Sequence, residues 1–193
     1  MKRHILNTFI KENFKKEDKI DLDGISLFYG RPGSGKTYLL NKLFSKYDDK
    51  ILYIGRDFER ELYFKNIKYI GSEDIYIDYN KLELAIEKYI KKDYFIIFDE
   101  VFWENEIEYL KMIERIIINN KLNIKLILSR QFISNKDDFD FERITKNLSQ
   151  VISFANSEIE ADQDLEVFGR YNIYKRKDSN KLTNKQINNF QKN

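Results

Sequence analysis

The sequence predicts an α/β domain of three layers, with a mainly parallel central sheet between helices and its chemistry at the carboxyl ends of the strands. Three stretches predict it. Residues 25–29 form a short run with strand character, followed by the glycine-rich residues 30–37 and then by Leu39, Leu40, Leu43 and Phe44 at helical spacing. Residues 94–98 are five apolar residues without alternation, the mark of a strand buried on both faces, and they run into Asp99 and Glu100. Residues 124–128 form a third strand that ends in Ser129, Arg130 and Gln131.

Composition narrows the chemistry. A chain of 193 residues suits one domain with a real core and leaves little room for a separate substrate domain. A hydrophobic content of 42% with 15% aromatics argues against disorder. The absence of cysteine excludes disulfides, thiolate metal sites and cysteine nucleophiles, and the single histidine, His4, rules out a histidine-built zinc site or triad. Magnesium held by oxygen ligands remains. No apolar run approaches the roughly 20 residues of a membrane span, and charged residues interrupt the N-terminus before a signal-peptide core forms, so an intracellular protein is expected. A net charge of +2 advertises no global attraction to nucleic acid. Beyond Arg170, however, Lys175, Arg176, Lys177, Lys181, Lys185 and Lys192 face the single acid Asp178, which reads equally as a solvated tail or a polyanion contact.

In chain order, Ile5, Leu6, Phe9, Ile10 and Phe14 share one side of a predicted N-terminal helix, and a turn at 21–24 leads to the first strand. The helix after the glycine loop is expected to run to about Tyr47. Strands are predicted at 51–54, 67–70 and 74–77, and a helix at 80–92 from Leu82, Ala85, Ile86, Tyr89 and Ile90. A helix at 105–119 carries Ile107, Leu110, Met112, Ile113, Ile116 and Ile117. A helical segment near 139–148, a strand at 151–155, a short helix around Ile159–Phe168 and an edge strand at 171–174 complete the reading. The predicted organisation is an N-terminal helix and turn (1–24), a core (25–170) and a basic C-terminal tail (171–193).

Residues 30–37 match G-x-x-x-x-G-K-[ST] at every fixed position, and the flanking strand and helix supply the context this P-loop pattern needs. Glycines let backbone N–H groups turn around a phosphate, and the following helix points its positive end at the same place. The nucleotide-binding candidates are therefore Gly30, Arg31, Pro32, Gly33, Ser34, Gly35, Lys36, Thr37 and Tyr38. Lys36 would reach the β- and γ-phosphates and Thr37 would ligate Mg²⁺. Asp99 reads as the carboxylate supporting Mg²⁺, and Glu100 as the group that polarises the attacking water. Gln131 stands where a γ-phosphate sensor belongs, at the carboxyl end of a strand beside the one carrying Asp99. The paired carboxylates favour hydrolysis over phosphoryl transfer to a small molecule, and the lack of N-K-x-D favours ATP over GTP.

These stretches, followed by the strand at 151–155 and an acidic helical segment, resemble the FtsK/HerA group of ATPases across residues 25–170, in particular the small genome-packaging ATPases of double-stranded DNA viruses. The resemblance implies a RecA/FtsK-like fold with an additional strand. It also implies a homo-oligomeric ring that uses ATP and Mg²⁺ to move double-stranded DNA, with a capsid or portal protein as a further partner and a cytoplasmic or virion-associated location. On it, Lys36, Thr37, Asp99, Glu100 and Gln131 fall on the family's phosphate, metal, water-polarising and sensor positions. Where the family carries an arginine acting on a neighbouring subunit, this chain has Asn119-Asn120-Lys121, neither residue type being equivalent to a guanidinium. Arg115 and Arg130 are the leading substitutes, ahead of Arg56 and Arg143. Two other readings stand beside this one: a filamentous-phage assembly ATPase resembling the zonula occludens toxin group, and an ATP-dependent adaptor that recruits a replication or assembly partner.

Overall fold

The apolar runs become the strands of one sheet. The computed structural model describes residues 10–30, 32–45, 50–55, 68–71, 79–99, 106–120, 124–130, 146–154 and 171–177. Within them lie eight strands and three full helices: β1 (Phe14–Glu17), β2 (Gly24–Tyr29), α1 (Lys36–Phe44), β3 (Ile51–Gly55), β4 (Lys68–Gly71), α2 (Tyr79–Ile90), β5 (Phe95–Asp99), α3 (Glu106–Asn119), β6 (Lys125–Arg130), β7 (Gln150–Phe154) and β8 (Tyr171–Arg176). The sheet order is β1-β8-β7-β2-β6-β5-β3-β4, parallel throughout except where β8 meets β7 and β1.

Burial explains why the interior strands read as uninterrupted apolar sequence. Every residue of β3, β5 and β7 is buried. The pleat divides them between two cores. On one face Leu27, Leu52, Ile54, Ile96, Phe98, Leu126 and Leu128 pack with α2 and α3 through Leu82, Ile86, Met112, Ile113 and Ile116. On the other, Phe28, Ile51, Tyr53, Phe95, Ile97, Ile127 and Ile152 pack with α1 through Leu39, Leu40 and Phe44. The helix faces follow from direction of travel. The chain passes from β2 outward to β3 through α1, then returns through α2 and α3 to β5 and β6, so right-handed crossovers put α1 on one side and the other two opposite. Nucleotides bind where such a sheet reverses direction.

Several boundaries differ from expectation. Phe14 leaves the N-terminal helix and starts β1, because Phe14 to Glu17 pair with Arg176 to Ile173. The chain at 171–176 is a strand, as expected, yet it is not an edge: β8 lies between β7 and β1. The sheet therefore recruits residues on both sides of the predicted 25–170 core. Lys177 reinforces this closure, its Nζ donating to the carbonyls of Glu12 (2.6 Å) and Lys11 (3.3 Å). The α1 helix ends at Phe44 rather than near Tyr47, and residues 146–149 form a turn rather than the end of a helix. The strand predicted at 74–77, the helix around 159–168 and the tail beyond 177 lie outside the described residues, as do residues 1–9. Among the described residues no helix is long and apolar enough to cross a membrane.

The layer assignment is open to a direct check. Ile113 is fully buried between α3 and the sheet whereas Ile118 on the same helix is 53% exposed. Ile113→Ala is expected to cost about 2–5 kcal/mol in a denaturant titration, and Ile118→Ala to stay within about 0.5 kcal/mol of the parent.

Candidate nucleotide site

The site is assembled where β2, β5 and β6 end and α1 begins. Gly33 and Gly35 adopt φ of 73° and 97°, values a side chain rarely tolerates, so the loop reaches α1 through a path that favours glycine. Gly30 is required for a different reason. A Cβ there would lie 2.7 Å from Phe154 Cβ and 2.8 Å from Ser34 Oγ, so β7 and the loop close directly over its backbone. Its N–H is held by the Arg130 carbonyl at 3.3 Å, which continues the β2–β6 pairing to the start of the loop. No side chain caps α1, and no acidic residue stands in its first turn. The helix thus presents an electropositive N-terminus to the loop, the arrangement that binds phosphate.

Lys36 is buried, 3% exposed, with its Nζ donating to the Gly30 carbonyl at 3.1 Å. The ammonium therefore lies across the loop, held by an acceptor on the loop itself. Thr37 Oγ1 donates to Asp99 Oδ2 at 3.0 Å, joining the first turn of α1 to the end of β5. The Tyr53 hydroxyl on β3 donates to the same oxygen at 2.9 Å. Asp99 is fully buried, and across the sheet it is in register with Ser129 on β6. By strand alternation both Asp99 and Ser129 follow Ile97 and Ile127 onto the α1 face. The buried hydroxyls of Ser129 and Ser34 have no hydrogen-bond partner among the described residues. Two hydroxyls without partners beside a phosphate-type loop fit a site that takes up a polar ligand.

The donor set suits magnesium. Thr37 and Asp99 offer hard oxygen atoms within one hydrogen bond of each other, and the described residues contain no group of three acidic or imidazole side chains that would make an all-protein cage. Mg²⁺ is ordinarily held this way, by one or two protein oxygens plus phosphates and water.

The structure thus brings together Gly30, Gly33, Ser34, Gly35, Lys36, Thr37 and Asp99. Pro32 is exposed in the turn before Gly33, and Tyr38 is 51% exposed on α1. Arg31, Glu100, Gln131, Arg56 and Arg143 lie outside the described residues; Glu100 directly follows β5 and Gln131 directly follows β6. Arg130 ends β6 beside the loop, but the pleat sends its side chain to the face shared by Leu126 and Leu128, away from Asp99. Arg115 is farther off, on α3 across the sheet from α1. Its guanidinium grips both carboxylate oxygens of Glu83 at 2.6 to 3.1 Å, a hydrogen-bonded pairing that raises its pKa further. Asn119, at the position the resemblance assigns to an arginine, instead donates to Glu87 at 3.4 Å.

Sequence reasoning missed Tyr53 and Ser129. Tyr53 reads as one more strand-forming aromatic in residues 51–54, although a tyrosine hydroxyl inside an otherwise apolar run needs an acceptor somewhere. The signal for Ser129 was its place at the end of the strand beside β5.

No protein-family model and no curated protein matches the sequence. Among solved structures, the chain is similar to the pCW3 conjugation coupling protein TcpA in its monomer form with ATPγS, at 17% identity over 86% of this chain and 64% of that one, TM-score 0.47. It is similar also to the cytoplasmic domain of the type VII secretion ATPase EccC of Thermomonospora curvata, at 13% identity over 80% and 24% of the two chains, TM-score 0.49. The P4 protein of bacteriophage phi13 matches at 15% identity over 70% and 52%, TM-score 0.40. The chain spans less than two thirds of each of these structures. These likenesses are distant, and the fold rests on strand order and loop geometry. The insertion of β6 between β2 and β5, with the glycine loop leading into α1, makes this a P-loop NTPase fold of the additional-strand type.

The close approach at Gly30 gives a test of the loop. Gly30→Ala is expected to destabilise the protein by about 1–3 kcal/mol, since its methyl must displace Phe154 or Ser34; thermal and denaturant unfolding measure it.

Proposed function

We propose that this chain is an ATP hydrolase whose turnover drives movement of double-stranded DNA, a ring-forming motor of the genome-packaging kind. The observation that carries the nucleotide reading is the 3.0 Å hydrogen bond from Thr37 on the P-loop helix to Asp99 at the end of the central strand. It joins the phosphate cradle to the carboxylate that hydrolysis requires, and that carboxylate is itself fully buried, where charges act strongly.

Each residue has a role in this reading. The loop N–H groups and Lys36 hold the β- and γ-phosphates, and Lys36 exchanges its Gly30 contact for phosphate oxygens. Thr37 and Asp99 would hold Mg²⁺, which when bound would supply positive charge against the phosphates. Glu100, one residue beyond Asp99, orients the attacking water and accepts its proton, and Gln131 reads the γ-phosphate. A guanidinium from a neighbouring subunit completes the centre. Arg130 ends β6 beside the loop with its side chain turned from Asp99, and Arg115 requires release from Glu83, a partly exposed pair whose loss costs about 1 kcal/mol or less. DNA as the polymer moved, with a capsid or portal protein as the docking partner, is what the resemblance of these motifs to the FtsK/HerA group implies.

ATP and GTP turnover with and without duplex DNA tests the proposal, together with mass measurement in ATP plus DNA. The expected result is ATP turnover raised by DNA, loss of nucleotide binding in Lys36→Ala, and a fall of about 10²-fold or more in Glu100→Gln with binding retained. Absence of turnover, or DNA-independent turnover by a monomer, overturns the motor reading. Tight ATP binding with negligible hydrolysis and a stable protein partner identifies an adaptor instead.

A further inference from the structure

We infer that Tyr53 is a positioning residue for Asp99, and that its buried hydroxyl sets how strongly Mg²⁺ tightens nucleotide binding. This rests on the nucleotide reading above and goes beyond it, because nothing in the P-loop pattern calls for a tyrosine on β3.

Three observations lead there. Tyr53 is fully buried in an interior strand, and its ring lies in the core beneath α1 with Ile51, Phe95 and Ile97. Its hydroxyl donates to Asp99 Oδ2 at 2.9 Å, the oxygen that also accepts from Thr37 at 3.0 Å. Space for the ring is made by Gly55, where a Cβ would lie 2.8 Å from Tyr53 Cε1, 3.1 Å from Cζ and 2.9 Å from the Asp99 carbonyl. A side chain at 55 would therefore push the ring or the end of β5, and the hydroxyl with it.

The two donors on Oδ2 differ in what they are attached to. Thr37 belongs to the first turn of α1, and its hydroxyl has a second task toward the ligand, its lone pairs remaining available after its one proton goes to Asp99. Tyr53 belongs to the packed interior of the sheet. Groups held by rigid elements and hydrogen-bonded behind a metal ligand are what fix that ligand's orientation. Tyr53 is thus the donor that keeps the carboxylate in place while Thr37 rearranges. A tyrosine serving only to satisfy its own hydroxyl would alter folding stability on removal and leave the magnesium response unchanged.

The test compares the full-length protein with Tyr53→Phe, which keeps the ring and removes the hydroxyl. Affinity for a fluorescent ATP analogue is measured in EDTA and across a Mg²⁺ titration, with unfolding followed in parallel. The expected result is unchanged affinity in EDTA and a half-saturating Mg²⁺ concentration raised about tenfold. An unchanged Mg²⁺ midpoint, or an equal loss of affinity with and without Mg²⁺, overturns the inference. Should Tyr53→Phe fail to fold, Gly55→Ala decides. A raised Mg²⁺ midpoint with EDTA affinity retained supports the inference, and a parental midpoint, an equal loss of affinity in both buffers or failure to fold removes it. Absence of nucleotide binding by the parent protein in both buffers overturns the proposed function itself, whereas binding by the parent with no effect of either substitution removes only the role of Tyr53.

Discussion

One carboxylate oxygen links the parts of this domain on which its chemistry depends. Asp99 Oδ2 accepts from Thr37 on α1 and from Tyr53 on β3 while its own backbone belongs to β5. A buried carboxylate is costly unless hydrogen-bonded, so wherever the sheet and α1 pack as they do, these donors must converge on it. The same contact aligns the glycine loop with the strand end, because the first turn of α1 cannot shift without breaking it. Fold and site are in this sense one constraint.

The sheet concentrates polar groups at its ends. Burial on both faces leaves few interior places for them, and the buried polar residues described are Ser26, Lys36, Asp99, Ser129, Gln150 and Ser153. Gln150 and Ser26 bond to each other at 2.7 Å, and Gln150 also binds the backbone of Asp21, which ties the turn before β2 to the start of β7. Lys36, Asp99 and Ser129 gather at the opposite end, around the loop. One group is satisfied within the protein and serves architecture. The other includes a hydroxyl at Ser129 with no partner among the described residues, and it faces the place where a ligand belongs.

The arginines separate along similar lines. Arg115 is held by Glu83 on the outer face of α2 and α3, and Arg130 contributes its carbonyl to Gly30 while its side chain leaves the Asp99 face. Among the described residues, Lys36 is the cation that the fold itself delivers to the loop.

The sequence by itself determined the layered fold, the P-loop and the position of Asp99, because strands buried on both faces must be written as unbroken apolar runs and a phosphate loop as glycines at set intervals. Local patterns could not announce β1: three of the four residues from Phe14 to Glu17 are charged, Phe14 continues a helical periodicity, and only pairing with β8 makes the stretch a strand. The same pairing draws residues 171–176 from an expected edge into the interior of the sheet. Tyr53 was equally hidden, since its partner lies 46 residues away and a buried tyrosine looks like any other strand aromatic until the neighbouring strand is in register. Residue types fixed by local burial were readable in advance. Contacts that depend on which strand lies beside which were decided only when the sheet closed, and the hydroxyl behind Asp99 is one of them.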